Sequence, residues 1–385
     1  MAHSPPLPLV IDYSFPDRDV SAEEEGIILA LEQRDRVRRI HLEVPLPNLQ
    51  KLIVAIDEEY SILEHLFIML PLWNEDTVLK LPQTLQAPNL RGLVLGCISL
   101  PIRSRLLTTA VGLVTLARKV SHPSAYFQPN ILLQWLSSMP QLEIVLIAFS
   151  FPVPNRDVER QLMDTPITTH VTLPNLRSFG FQGVSAYMEA VVRRITSPHL
   201  KKFFIQFFKQ LTFSVPRLVQ FINTIENLRF DRAKFEFSDY GVGVEVYSRE
   251  QAEKSPLQML VHCSHLDWQV SSMAQIFNSL IQISSTVEHL TLRHKTHWQS
   301  SEEHNAIDRT EWRELLRLFS NVKALDVDDG LVGELSRSLR LDDGELPLEI
   351  LPELQELTYS GRGNMFKPFI DARQDAGRPV SLTRR

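Results

Sequence analysis

"LPNLRSFGF", Leu173–Phe181, decides how this chain is read. It holds no catalytic residue, glycine loop or ligand cluster. Close copies stand elsewhere: "APNLRGLVL" from Ala87, "MPQLEIVLI" from Met139, "SPHLKKFFI" from Ser197 and "LPELQELTY" from Leu351. Their shared core is a six-residue pattern, Φ-x-x-Φ-x-Φ, with Φ apolar. It starts at Val37, Leu63, Leu90, Leu142, Leu176, Leu200, Ile225, Val287, Val322 and Leu354, with imperfect copies at Leu113 and Leu257. Successive starts lie about 29 residues apart on average, a spacing at which self-similarity marks stacked repeats.

Positions four and six of the pattern alternate with position five, as a half-buried strand requires. Position two holds Arg38, Glu64, Arg91, Val114, Glu143, Arg177, Lys201, Glu226, Gln258, Glu288, Lys323 and Gln355. Eleven of these twelve are polar, so the column should face solvent. One strand, a turn, a helix and a return need roughly this many residues, and no such unit buries its apolar face alone. "PNLQKLIV" from Pro47 and "PRLVQFIN" from Pro216 also fit most of the pattern but fall out of step with it. They read as helices with proline in the first turn. "SAEEEGIILALEQRDR", with Ser21 and Glu24 as a capping box, "QPNILLQWLSSM", "SAYMEAVVRRI", "SSMAQIFNSLIQI" and "DRTEWRELLRLF" read as helices too.

Strand and helix therefore alternate. The expected fold class is α/β: an irregular leucine-rich-repeat-like solenoid, a horseshoe with a parallel sheet of about twelve strands and outer helices. An open α/β sheet is the competing reading. Twelve strands exceed its usual size, and strands buried on both faces would not keep one column polar. The residue three places after the sixth position, Asn or Cys in a regular unit, is Ile98, Ser150 or Val184 here, so no asparagine ladder is expected there. Residues 1–36 read as an N-terminal capping strand and helix, 37–360 as the solenoid and 361–385 as a C-terminal cap and tail, in one continuous domain. "LPLVIDYSF" is the expected first strand and Val380–Leu382 the last.

Composition excludes several function classes. The chain has 385 residues, 44% hydrophobic and 22% charged, with a formal net charge of −6. That is ordinary globular composition without the basic footprint of nucleic-acid binding. Two cysteines cannot frame a disulfide scaffold. Neither a signal peptide nor an apolar run of about 18 residues is present, so no membrane association is expected. A cytoplasmic or nuclear monomer is the expectation.

There is no Walker loop, no G-x-G-x-x-G and no H-E-x-x-H. "DVDDG", Asp326–Gly330, is too short to open a calcium loop and reads as a turn. "HCSH", His262–His265, lacks the second ligand pair that zinc needs. No catalytic residue, metal or cofactor is expected, and the chain is read as no enzyme. An enzyme of unrecognised class, or a paralogue without independent function, is the alternative.

"LPLVIDYSFPDR", "ALEQRDRVRRI", "LPNLQKLIVAID", "LTFSVPRLVQF", "HLDWQVSSMAQIF" and "LPELQELTYSG" run nearly end to end. Through them the chain resembles leucine-rich-repeat-like, F-box-associated proteins of mushroom-forming fungi. In that family a short helical F-box precedes the segment beginning "LPLVIDY" and docks on the Skp adaptor of a cullin ubiquitin ligase. Only eight residues precede Leu9, so the F-box is expected to be absent, and with it the Skp adaptor as a partner. A ubiquitin-ligase adaptor role is what the resemblance alone implies.

The function expected from the repeats is a substrate-receptor-like scaffold that binds a protein partner, not identified by the sequence, on a concave sheet face. Positions three and five would line that face: Arg39, His41, His65, Phe67, Val94, Ile144, Leu146, Lys202, Phe204, Asn227, Arg229, Met259, His289 and Glu356. The middle of that set is apolar, as an interface core would be.

Overall fold

The computed structural model describes residues 7–14, 24–70, 79–101, 104–151, 168–208, 210, 212–225, 230–251, 256–295, 309–340, 346, 348–361 and 363–385. The chain divides into two compact units, Met1–Leu200 and Lys201–Arg385.

In the first unit seven strands follow one another in chain order: β1 Leu9–Ser14, β2 Val37–Glu43, β3 His65–Met69, β4 Gly92–Gly96, β5 Thr115–Val120, β6 Ile144–Phe149 and β7 Ser178–Gly183. Every neighbouring pair is parallel. The hexamer pattern fixes their faces. Position-one residues Val37, Leu63, Leu90, Leu113, Leu142 and Leu176 are buried, and so are positions four and six. Return segments carry helices: α1 Glu24–Leu31, α2 Leu46–Ala55, α3 Arg105–Thr109, α4 Pro129–Ser137 and α5 Ser185–Val192, all but α3 where the spacing predicts them. Pro47 and Pro129 sit in the first helical turn, where a missing N–H leaves nothing unpaired. Glu24 starts α1, but its carboxylate reaches Asn48 and Lys51 on α2, clipping two helices together. Its supposed capping partner Ser21 lies outside the described residues.

Position two carries more than a polar side chain. Its carbonyl accepts two consecutive N–H groups from the next rung. Glu64 O takes Arg91 N at 2.8 Å and Gly92 N at 2.9 Å; Val114 O takes Glu143 N at 2.8 Å and Ile144 N at 3.1 Å. Glu143 O then takes Arg177 N at 2.8 Å and Ser178 N at 3.0 Å. The outward side chains pair across rungs, Arg38 with Glu64 at 3.0 Å and Arg177 with Glu143 at 3.7 Å. Asparagine does bridge rungs, from the residue just before position one: Asn89 Nδ2 donates to Ser61 O at 2.7 Å.

The second unit repeats the scheme with an interruption. Its strands are β8 Lys202–Phe208, β9 Arg232–Ser238, β10 Gly241–Tyr247, β11 Leu257–His262, β12 His289–Lys295, β13 Ala324–Val327, β14 Glu356–Tyr359 and β15 Ser381–Arg384. They lie in the order β8-β11-β10-β9-β12-β13-β14-β15. β9 and β10 form an antiparallel hairpin, and β10 runs antiparallel to β11; the remaining pairs are parallel. Helices again fill the returns: α6 Pro216–Asn223, α7 Leu266–Ser279, α8 Ile281–Ser284, α9 Arg309–Arg317, α10 Asp329–Ser338 and α11 Lys367–Asp375.

Three sequence expectations are corrected here. The rung at Ile225 lies elsewhere: Asp231 O takes the N–H groups of Glu288 and His289, so the frame is Phe230–Phe235, with Ala233 and Phe235 buried. The copy at Leu257 is out of register: Leu257 pairs with Phe203 and Met259 with Ile205, so both are core positions. "DVDDG" is a helix start and no turn: Asp328 caps α10 by accepting from Asp329 N.

Replacing Glu143 by proline removes an N–H of the ladder and should destabilise the first unit by about 2–3 kcal/mol. Glu143→Gln keeps the N–H, loses only an exposed ion pair and should cost under about 0.5 kcal/mol. Urea unfolding of the two variants distinguishes a backbone role from a side-chain role.

Candidate functional site

Because positions four and six point into the core, positions three, five and seven form the opposite sheet face. In the first unit the register aligns them in rows. The central row is Asp12, His41, Phe67, Val94, Ala117, Leu146, Gly180. Beside it run Val10, Arg39, His65, Gly92, Thr115, Ile144 and Ser178. Arg39 and His65 are exposed, and His41, Phe67 and Val94 are half-buried. Ile144 and Leu146 are 43% and 39% exposed, an apolar pair open on this face.

The row is fitted side by side. His41 Nδ1 lies 3.3 Å from Asp12, while its ring stands edge-on to Phe67 with centroids 4.2 Å apart. Leu146 lies over Gly180, where an added Cβ would sit 2.5 Å from Leu146 Cδ1. His65 covers Gly92 in the same way, with 2.7 Å to its Nδ1. Two glycines thus let large neighbours lie down across the sheet. The sequence reading missed Ala117 and Thr115, because it listed mainly large residues; the register of the Leu113 copy would have supplied them.

In the second unit the corresponding face mixes charged and apolar residues. Lys202 and Glu356 are exposed, and Phe204 and His289 are half-buried. Met259 is 2% exposed and belongs to the core; the register slip puts Gln258 and Leu260 on the face in its place. Asn227 and Arg229 lie outside the described residues, and Arg232 and Lys234 occupy their rung positions beside His289 and Thr291. Gln206 contacts His262, which stacks on Phe208 with centroids 6.3 Å apart.

Glu236 is held between Lys234 and Lys295, the latter at 2.7 Å, and Arg385 reaches Asp326 at 2.9 Å. Burial works against the charge of Glu236, but the two lysines hold its carboxyl below the usual range. Burial, then Arg232 alongside, lowers His289. Among the described residues no group of three His, Cys, Asp or Glu could hold a metal ion, and no helix is long and apolar enough to cross a membrane.

The class of protein is therefore a mixed α/β repeat protein, each unit a mostly parallel sheet with helical returns and one open strand face. No protein-family model matches the chain, and no curated protein matches it. Among solved structures it is similar to the leucine-rich repeat-containing protein LegL7 from Legionella pneumophila. The two are 10% identical over 88% of this chain and 91% of that one, at a TM-score of 0.31. At that score the likeness carries no weight beyond the rungs already described.

Glu236 should be felt in the pH dependence. Its carboxyl is depressed in the fold, so its stabilisation is full at neutral pH and fades as pH falls below the ordinary glutamate value of about 4.3. Glu236→Gln should be less stable than the parent at pH 7, and the gap should narrow as pH is lowered below about 4.3, measured by urea unfolding across that range.

Proposed function

We propose that the protein is a non-enzymatic interaction scaffold that holds a protein partner on the strand face opposite its helices. In a leucine-rich-repeat-like solenoid this is the long inner face, and the binding energy is spread over many rungs. The observation that carries the reading is the exposure of Ile144 and Leu146 in a row continued by Ala117, Val94 and Phe67. An apolar centre rimmed by Arg39, His65 and Lys119 has the anatomy of an interface core.

Affinity purification with the intact chain tests this. A stable partner should be captured, and Leu146→Asp should weaken capture at least tenfold while leaving the unfolding transition in place. Phe204→Asp asks the same of the second unit. Capture unchanged by both substitutions would move the binding surface elsewhere. Recovery of the Skp adaptor in the same experiment would support the ubiquitin-ligase role, which otherwise rests on the resemblance alone.

A further inference from the structure

Three arginines are buried among the described residues: Arg118 at 2%, Arg313 at 8% and Arg373 at 0% exposure. Two are met by backbone oxygens. Arg373 donates to the carbonyls of Leu351 at 3.1 Å, Pro352 at 3.0 Å and Leu354 at 3.2 Å. Arg313 donates to those of Ser338 at 2.8 Å and Arg340 at 2.9 Å. Arg118 differs. It stands at position six of its rung, where other rungs place Leu42, Ile68, Leu95, Ile147 and Phe181. Its Nε and Nη1 are fully buried and meet no acceptor.

What surrounds Arg118 is aromatic. The guanidinium lies 4.8 Å from the Phe127 ring centre and 5.1 Å from that of Trp135. Next to Phe127, the Tyr126 ring meets Tyr187 edge-on at 6.1 Å, and Phe149 packs on both at 5.5 and 5.0 Å. The hydroxyls of Tyr126 and Tyr187 are also buried without a partner. Burial lowers Arg118 to about 10, with Tyr187 alongside pulling the other way, so the group is cationic at neutral pH. Burial raises both phenols, which therefore stay protonated and can donate. Ring faces offset part of the desolvation of a buried cation, but they supply no hydrogen-bond acceptor.

The geometry points to a binding site for a small carboxylate at Arg118, with Tyr126 and Tyr187 as hydroxyl donors. One cation and two neutral donors match one negative charge. A phosphate dianion would leave charge uncompensated in an apolar surround. A guanidinium–carboxylate pair is the charge-assisted bond this environment strengthens most. The site lies on the core side of the strands and does not depend on the partner face.

The test is thermal unfolding of the intact chain in sodium acetate, sodium phosphate and sodium chloride at matched ionic strength. Acetate should raise the midpoint in step with the logarithm of its concentration above its Kd, by about 5 °C at a hundredfold excess. Phosphate and chloride should not. Arg118→Met, which restores the apolar rung position, should abolish the rise. Tyr187→Phe keeps the ring and should weaken acetate roughly fivefold. A flat response of the parent to acetate, an unchanged response in either variant, or a phosphate shift exceeding that of acetate would overturn the site and leave Arg118 a stacked structural cation.

Discussion

A shared backbone acceptor organises both units. In a run of rungs the carbonyl at position two takes two N–H groups from the next rung, and that rung's own carbonyl passes the arrangement on. It holds from Glu64 through Arg91, Val114 and Glu143 in one unit, and from Asp231 through Glu288 and Lys323 in the other. Parallel strands need such evenly spaced, slanted bonds to stay in register. Once the register is fixed at this point, positions one, four and six fall into the core and three, five and seven onto the open face. The loops between rungs are then free to vary in length, which explains how a spread of roughly 23 to 35 residues coexists with one repeated strand.

That freedom also admits the hairpin. β10 enters between β9 and β11 antiparallel to both, so its edges are filled and the sheet continues. Gly241 is the residue that allows it. Its φ is +159°, and a Cβ there would run into the backbone carbonyl of Val261. "FEFSDYGVGVEVY" alternates strictly around an Asp-Tyr-Gly turn, a hairpin signal in its own right.

The open faces differ in chemistry because the same positions carry different residues. In the first unit they place Phe67, Val94, Ala117 and Leu146 in one row. In the second, opposite charges meet across strands, as Glu236 does with Lys295. Arg118 is the exception to the rung rule. A charged residue at a core position is a departure that ordinary packing does not require, and its aromatic setting, including Phe127 and Trp135, is specific to that rung.

By itself the sequence determined the rung. Apolar spacing, the polar second column and the proline-led helices were legible because burial and hydrogen bonding impose short, local periods on the residues concerned. Ile144 and Leu146, read from the same spacing, are exposed. Tertiary structure decided what local period cannot carry. The rung at Phe230 instead of Ile225 and the inward turn of Met259 depend on which strand pairs with which, and a slip in frame reverses a side chain's face. Hairpin insertion, the overlay of Leu146 on Gly180 and the packing of Tyr126 on Tyr187 join residues far apart in the chain. Their contacts exist only once the ladder has set the strands side by side.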